Sequence, residues 1–442
     1  MIGIGIADSL GVNLSGLNPA TKSFITSAGI SDAGTVTTIN NLVNGLQASG
    51  LWSKMKAVYP FVTDNRNLLG YTEDFGNAYW VKTNATVTTN TATAPNGTTT
   101  ADKLTISGTG YHGIERNLND STNIRKIHST YLKQDANVRY FELIFGNVSD
   151  GAIFDLQTGT VTATAAGVTA VITNEGNGWY RCSISGIVNY AYPSVYANST
   201  GAFGGTTNSL SGSFYIWGSQ FEYTALTTYQ PIATTQQAYI ASQFKYNLKD
   251  PRDLDAAFRL VFNGGWTHSS TGATPNGTNG YADTKFDQTL LSQTNGEIGV
   301  YSRTNIKATY IDIGVYAAAN DYALFTYISI SGDQMYGKAS CPDISSGYNP
   351  TNSIGLFSIN ADGVNTQKFY KNGILGATKN FTSGATTSKN IYLSAGNGAA
   401  TPIFYSTRQL ALSYISQTLN ATEAANLYSR VQQFQTALNR QV

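Results

Sequence analysis

The feature that most constrains this chain is the shortness of its apolar runs. Residues 103–106, 129–133, 140–145 and 212–217 are β-branched and aromatic stretches of a few residues, and Gly, Asn or Pro breaks the chain between them. Closely spaced strands with turn residues between them fold as antiparallel sandwiches. A second series follows at 258–262, 298–302, 310–315 and 323–328. Lys368-Phe369-Tyr370-Lys371-Asn372-Gly373-Ile374-Leu375 then signals a hairpin, because Asn-Gly suits the positive φ angles of a type I′ turn. The expected fold class is mainly β, with two β-sandwich domains. At 442 residues the chain is long enough for two or three cores.

Helices are signalled only near the two ends. Asn18-Pro19 pairs a capping residue with a proline suited to a first helical turn, and Gly29 marks the stop. Ser31-Asp32 starts a second helix, with Val36, Ile39, Leu42, Val43 and Leu46 on one face and Gly50 as terminator. Helices this short bury little alone, so they must pack on the following domain or on a partner subunit. Residues 1–17 read either as an extended arm able to join a neighbour's sheet edge or as a tail. Asn420-Ala421-Thr422-Glu423 caps a last helix, whose stripe is Ala424, Leu427, Val431, Phe434 and Leu438.

Composition narrows the function classes. Charged residues make up 12% and the net charge is +1, so the clustered basic surface that nucleic acid requires is not expected. Two cysteines, Cys182 and Cys341, give no disulfide framework, and three scattered histidines give no zinc set. Asp283 and Asp287 do not have the spacing of a defined calcium loop. No metal and no cofactor is expected. The N-terminus lacks a basic region and an apolar stretch of signal-peptide length, and no run would cross a bilayer, so no membrane insertion is expected.

Two pieces of sequence carry a family resemblance. Leu51-Trp52-Ser53-Lys54-Met55-Lys56-Ala57-Val58-Tyr59-Pro60-Phe61-Val62 resembles one half of a motif. Tyr239-Ile240-Ala241-Ser242-Gln243-Phe244-Lys245-Tyr246-Asn247-Leu248 resembles its continuation. The family comprises tailed-bacteriophage virion proteins with a concanavalin/laminin-G-like domain. The block between the pieces opens Asn67-Leu68-Leu69-Gly70-Tyr71 and runs through Asp74-Phe75-Gly76-Asn77-Ala78-Tyr79-Trp80. It closes Ile216-Trp217-Gly218-Ser219-Gln220-Phe221-Glu222-Tyr223, and passes through Gly176-Asn177-Gly178-Trp179-Tyr180-Arg181-Cys182 on the way. It resembles the carbohydrate-binding-module-like jelly roll of phage tail, fibre and head-spike proteins.

These resemblances imply three parts: an arm with two helices at 1–50, for virion attachment or oligomerisation; a concanavalin/laminin-G-like sandwich from 51–63 plus 238–442; and an inserted jelly roll at 64–237. The ends of the insert, near Asn67 and Thr234, should then meet. The implied role is a fibre, spike or capsid-decorating protein at the virion surface, made in the host cytoplasm without an export signal. By analogy with fibres it would be a homo-oligomer, a trimer, with other virion proteins of capsid or tail and cell-surface or environmental glycans as partners.

No paired carboxylates alternate along a strand as polysaccharide hydrolases of concanavalin-like fold require, and Glu297 stands alone on its strand, so no enzymatic activity is expected. A depolymerase would instead need two carboxylates about 5 to 9 Å apart, with Glu115, Asp120, Glu142 and Asp155 as candidates. Trp80, Trp179 and Trp217 lie in the signature segments and read as packing residues. Glycan-binding candidates lie outside the signatures: Tyr111, His112 and Arg116, then Tyr190, Tyr192 and Tyr196 beside Asn189 and Asn198, and Trp266 with His268 in a glycine-rich loop. Sugar recognition needs a flat apolar ring face with amide or hydroxyl donors around it.

Overall fold

The computed structural model describes residues 13–442, apart from 65, 148–149, 224, 329–333, 343–344 and 400. The extended-arm reading of residues 1–17 therefore lies mostly outside the described residues. The chain divides into two compact units, Met1–Asp64 with Ile240–Val442, and Asn65–Tyr239.

The discontinuous unit holds an eight-stranded and a seven-stranded sheet. The eight-stranded sheet is centred on Leu410–Ser416, which pairs antiparallel with Asn295–Ser302 and with Met55–Tyr59. The seven-stranded sheet includes Tyr281–Asp287, Asn390–Leu393 and Gln334–Lys338. The two sheets meet so closely that a Cβ added to Gly337 would lie 2.7 Å from Ile359 Cδ1. At the expected hairpin, Asn372 and Gly373 have φ of +52° and +73°, the backbone of a type I′ turn.

Helix α1 (Pro19–Ala28) is capped by the Asn18 side chain and ends at Gly29 in the left-handed region. Helix α2 (Ala33–Ala48) is capped by Asp32. After the short helix α3 (Gln236–Phe244), α4 (Ala421–Ala437) carries the full Asn420/Glu423 capping box. The apolar faces of α1, α2 and α4 converge: Phe24, Ile39, Leu42, Val43, Leu427, Val431 and Phe434 share one core with Met55, Val58 and Leu412 of the sheet. Each fully buried aliphatic side chain contributes roughly 1.5–3 kcal/mol, so packing rather than intrinsic propensity holds these helices. The helices of segment 1–50 thus belong to the sandwich unit itself.

The piece 51–63 and the chain that returns beyond residue 238 are joined by backbone chemistry. Val58 N donates to Asn247 Oδ1 at 2.9 Å and Leu248 N donates to Val58 O at 2.8 Å. Phe61, with φ of +44°, turns the chain away from the strand. Its carbonyl and that of Pro60 accept from the Arg440 guanidinium at 2.6 and 2.7 Å. Arg440 also donates to Ala411 O and Gln435 Oε1, and is buried without a carboxylate among these partners. Burial pushes its pKa down to about 9.

Two of the expected strands are cut short. In 258–262 only Val261–Asn263 forms a ladder. Phe258 sits at φ +60°, its carbonyl accepting from the Tyr59 hydroxyl at 2.7 Å and its ring packing on Phe286. In 310–315 the ladder is reduced to Ile313–Gly314. Asp312 there turns inward to a fully buried ion pair with Arg408 at 2.9 Å. A buried partner outweighs local strand preference in both places.

The Asn65–Tyr239 unit is a sandwich of two six-stranded sheets. Leu104, Leu132, Cys182, Ile184, Phe214 and Ile216 of one sheet share a core with Ile114, Phe141, Leu143, Phe154 and Val195 of the other. Its ends lie side by side: Tyr71 N donates to Thr234 O, and Gln236 Nε2 donates to Asn67 O and Leu69 O. A smaller cluster on the outer side of one sheet holds Trp179, Trp217, Tyr131 and Tyr229. Trp179 Nε1 donates to Thr93 O and Trp217 Nε1 to Thr100 Oγ1, so both rings are fixed packing elements. Trp80 is buried as well, against Phe75. Asp102 is buried under the opening turn and accepts from Phe75 N and Asn90 N.

Two measurements test this account. Arg440→Ala leaves the Pro60 and Phe61 carbonyls without this buried donor and Ala411 O with Gln435 Nε2, and should cost roughly 3 kcal/mol in chemical denaturation of the discontinuous unit, with Arg440→Lys less damaging. Burial outweighs the hydrogen bonds to Asp102 and raises its pKa to about 6. A carboxylate with a raised folded-state pKa contributes most below its unfolded value of about 4 and loses that contribution as pH rises through the folded value. The melting temperature of the Asn65–Tyr239 unit should therefore rise between pH 7 and 5, and Asp102→Asn should flatten that slope.

Candidate functional site

Three loops meet at one end of the Asn65–Tyr239 sandwich. One runs from strand Gly113–Glu115 to strand Ile124–Gln134, one follows strand Tyr140–Ile144, and one joins Trp179–Val188 to Ser194–Asn198. Main-chain hydrogen bonds fasten them together: Leu118 N to Ala191 O at 2.9 Å, Arg116 N to Pro193 O at 3.1 Å and Tyr192 N to Phe145 O at 2.7 Å. Between them lies an open groove of about 470 Å³, within the range of small-molecule sites. It is lined by Tyr190, Tyr192 and the side chains of Asn117, Asn119, Asp120, Ser121 and Asn189.

Gly146 sets the position of the two tyrosines. Its φ is +150°, and a Cβ there would lie 3.0 Å from Tyr190 Cβ and 3.1 Å from Tyr192 Cβ. Only a residue without a side chain lets both rings seat over this turn. The Tyr190 side chain remains 44% exposed, which leaves a ring face available to a ligand. Tyr192 is anchored by its hydroxyl to Glu115 Oε1 at 2.8 Å. Asp120 is held by Thr122 N and Oγ1, by the Tyr223 hydroxyl at 2.6 Å and by buried Lys126 at 3.3 Å. Burial would raise its pKa, but these hydrogen bonds hold it below the usual carboxylate range. Ile124 and Ile187, 40% and 66% exposed, lie near this end of the sheet on the paired strands.

The other candidates of this unit lie outside the groove lining. Tyr196 is buried, with its hydroxyl on Glu115 Oε2, and Tyr111 packs against its ring at 4.8 Å. His112 is buried, with Nε2 near Gly108 O at 3.0 Å. Arg116 lies over the Tyr79 ring at 4.0 Å and donates to Tyr79 O, which makes it a clamp within the fold. In the discontinuous unit, Trp266 and His268 form an aromatic cluster with Phe262, at 5.1 and 4.7 Å from its ring centre. His268 is buried, which lowers its pKa to about 4, and Trp266 Nε1 donates to Asn263 O.

The carboxylates considered for hydrolysis each have partners in the fold. Glu115 receives the two tyrosine hydroxyls, and Asp155 receives Arg139 in bidentate fashion, which holds its pKa at about 2. Glu142 is buried beside Asn198, and burial raises its pKa. In the other unit Glu297 is sealed among Tyr414, Asn360 and Leu419 N. Among the described residues no group of three or more His, Cys, Asp or Glu is placed to hold a metal ion. No helix of the described residues is long and apolar enough to cross a membrane.

The sequence reading reached Tyr190 and Tyr192 but not the amides of Asn117 and Asn119, which are brought to them only by the pairing of the loops. The turn-forming run Asn117-Leu118-Asn119-Asp120-Ser121 was the available signal.

No family model and no curated protein matches the chain. Several solved structures resemble it in part. Domain 4 of AbnA, a GH43 extracellular arabinanase from Geobacillus stearothermophilus, solved with arabinotriose, is 14% identical over 38% of this chain and 87% of that one, with a TM-score of 0.30. Domains LG4-5 of the mouse laminin alpha1 chain are 11% identical over 70% of this chain and 88% of theirs, with a TM-score of 0.25. The N-terminal CBM22 tandem domain of a Paenibacillus barcinonensis protein is 8% identical over 82% and 94%, with a TM-score of 0.24. At these scores the ligands of those proteins do not transfer to this chain.

Replacing Gly146 by Val should lower the stability of this unit by roughly 1–3 kcal/mol, from backbone strain and overpacking together. Thermal denaturation of the full chain, compared with wild type, would measure the loss.

Proposed function

We propose that this chain is a structural protein of a tailed-bacteriophage particle that adheres weakly to glycans through its sandwiches. The observation that carries the adhesive part is the exposed Tyr190 ring over Gly146, in a groove bordered by Asn117, Asn119 and Asn189. A ring face gives a sugar its stacking surface, and amides serve its hydroxyls as donors and acceptors. The low charge of the whole chain favours neutral-polar recognition over ionic recognition. The virion part is supported by the resemblance of 51–62 and 239–248 to phage virion proteins, and of the intervening block to phage jelly rolls. On this reading the chain is a fibre, spike or capsid-decorating protein at the virion surface. It assembles as a homo-oligomer, a trimer by analogy with fibres, on other virion proteins. Many copies on a particle would convert weak single-site contacts into avidity. It is a binding protein and not an enzyme, a reading supported by the structural partners of Glu115, Glu142 and Asp155.

A second reading is a particle-stabilising protein without ligand. It is favoured by the burial of Tyr196, His112 and His268, which places these candidate rings in packing.

Glycan screening of the full chain separates the two. Adhesion predicts binding that falls about tenfold in Tyr190→Ala, as loss of a stacking contact worth roughly 1.4 kcal/mol would produce, without a change in melting temperature. Absence of any glycan binding by the wild type would leave the structural reading. For the virion assignment, antibody against residues 64–237 should label intact particles in electron microscopy, and unlabelled particles with a reactive purified protein would refute it.

A further inference from the structure

The seven-stranded sheet of the discontinuous unit has one face of unusual chemistry. Along strand Tyr281–Asp287, Ala282 and Thr284 are fully buried, while Tyr281 and Lys285 are half-buried. Strand Asn390–Leu393 repeats the alternation, with Ile391 and Leu393 buried and Asn390 and Tyr392 half-buried. The ladder sets Tyr392 opposite Asp283, which is itself buried, so the half-buried Tyr281 and Tyr392 share a face with it. The rings of Tyr281 and Tyr392 lie 4.7 Å apart at an interplanar angle of 30°. Tyr405, half-buried, is close enough to interact electrostatically with both phenols. The residue before it, Phe404, is 40% exposed at φ +54°.

Polar groups border these rings. Asp283 Oδ2 accepts from Asn390 Nδ2 at 3.2 Å and from Lys285 Nζ at 3.1 Å. Lys285 Nζ lies 3.8 Å from Asp255 Oδ2 as well, so its ammonium is matched by carboxylates and leaves no surplus positive charge for an acidic polymer, while rings, phenolic hydroxyls and an amide border it. Burial, then Asp283 and the neighbouring phenols, raises the Tyr392 pKa to about 12, so its hydroxyl is a proton donor at neutral pH.

We propose that the Tyr281–Tyr392 pair forms a second glycan-contact site, a shallow shelf for a neutral sugar chain. It rests on the glycan-adhesion reading of the chain and extends it to a sandwich in which the sequence pointed to Trp266 and His268 instead. The outward face of the tilted Tyr281–Tyr392 pair takes the apolar side of a pyranose, and Asn390 and the phenols meet its hydroxyls.

The test is affinity electrophoresis of the full chain in gels containing galactan, β-glucan or mannan, with alginate as the acidic control. Wild type, Tyr190→Ala, Tyr281→Ala/Tyr392→Ala and Tyr281→Phe/Tyr392→Phe are compared after their melting temperatures have been measured. The shelf predicts retardation by a neutral polymer that persists in part in Tyr190→Ala. The double alanine variant should weaken that binding about fivefold to tenfold, and the double phenylalanine variant, which keeps the rings and the fold, about twofold. If the neutral polymer retards wild type and both double variants equally, the shelf is refuted while the adhesion reading stands. If no polymer retards wild type, the adhesion reading fails and the shelf with it. Retardation by alginate alone would overturn the neutral-sugar assignment.

Discussion

A buried carbonyl must find a donor, and the discontinuous sandwich depends on how that demand is met where its chain is interrupted. Strand Met55–Tyr59 enters the eight-stranded sheet beside Leu410–Ser416, and the chain then leaves the strand at Pro60 and Phe61. Arg440 supplies donors to both of those carbonyls and to Ala411 O, while Asn247 reaches back to Val58 N. Residues from near the N-terminus, from beyond the insert and from the C-terminus thus close one site. A guanidinium suits it because its fork satisfies several carbonyls at once. The cost is a buried cation, visible in the lowered pKa of Arg440.

The same demand shapes the rest of that unit. Arg408 with Asp312, and Glu297 with Tyr414, Asn360 and Leu419 N, are buried polar sets enclosed by strands. Removing one partner from such a set is costly, so these charges act on the fold and are withheld from ligands. The surface groove of the other unit is lined instead mostly by neutral side chains. In the Asn65–Tyr239 unit these gather where three loops are laced together, and a glycine without a side chain lets tyrosines occupy the space above it.

Much of the architecture was legible because it depends on local signals. Asn18-Pro19, the Asn420/Glu423 box and Asn372-Gly373 act over three or four residues, and each forms the cap or turn its chemistry dictates. The sandwich class was legible from short runs and turn residues, since those patterns have few other folded solutions. The strands at 258–262 and 310–315 were overestimated because their fate was settled by residues far away: Tyr59 and Phe286 for the first, Arg408 for the second.

The candidate sites divide along the same line. Residue type alone brought forward Tyr190 and Tyr192, but equally Tyr196, His112 and His268, which the fold buries. A sequence records that a ring or an amide is present; it does not record which side of a sheet or loop that group will face. The sequence by itself determined the β class, the helix caps, the tight hairpin and the low charge, because these follow from nearest-neighbour sterics and composition. Only the tertiary structure decided that Asn117 and Tyr190 line one groove and that the Tyr281 ring packs against Tyr392. Such contacts join residues separated by long stretches of chain and exist only once the strands have paired.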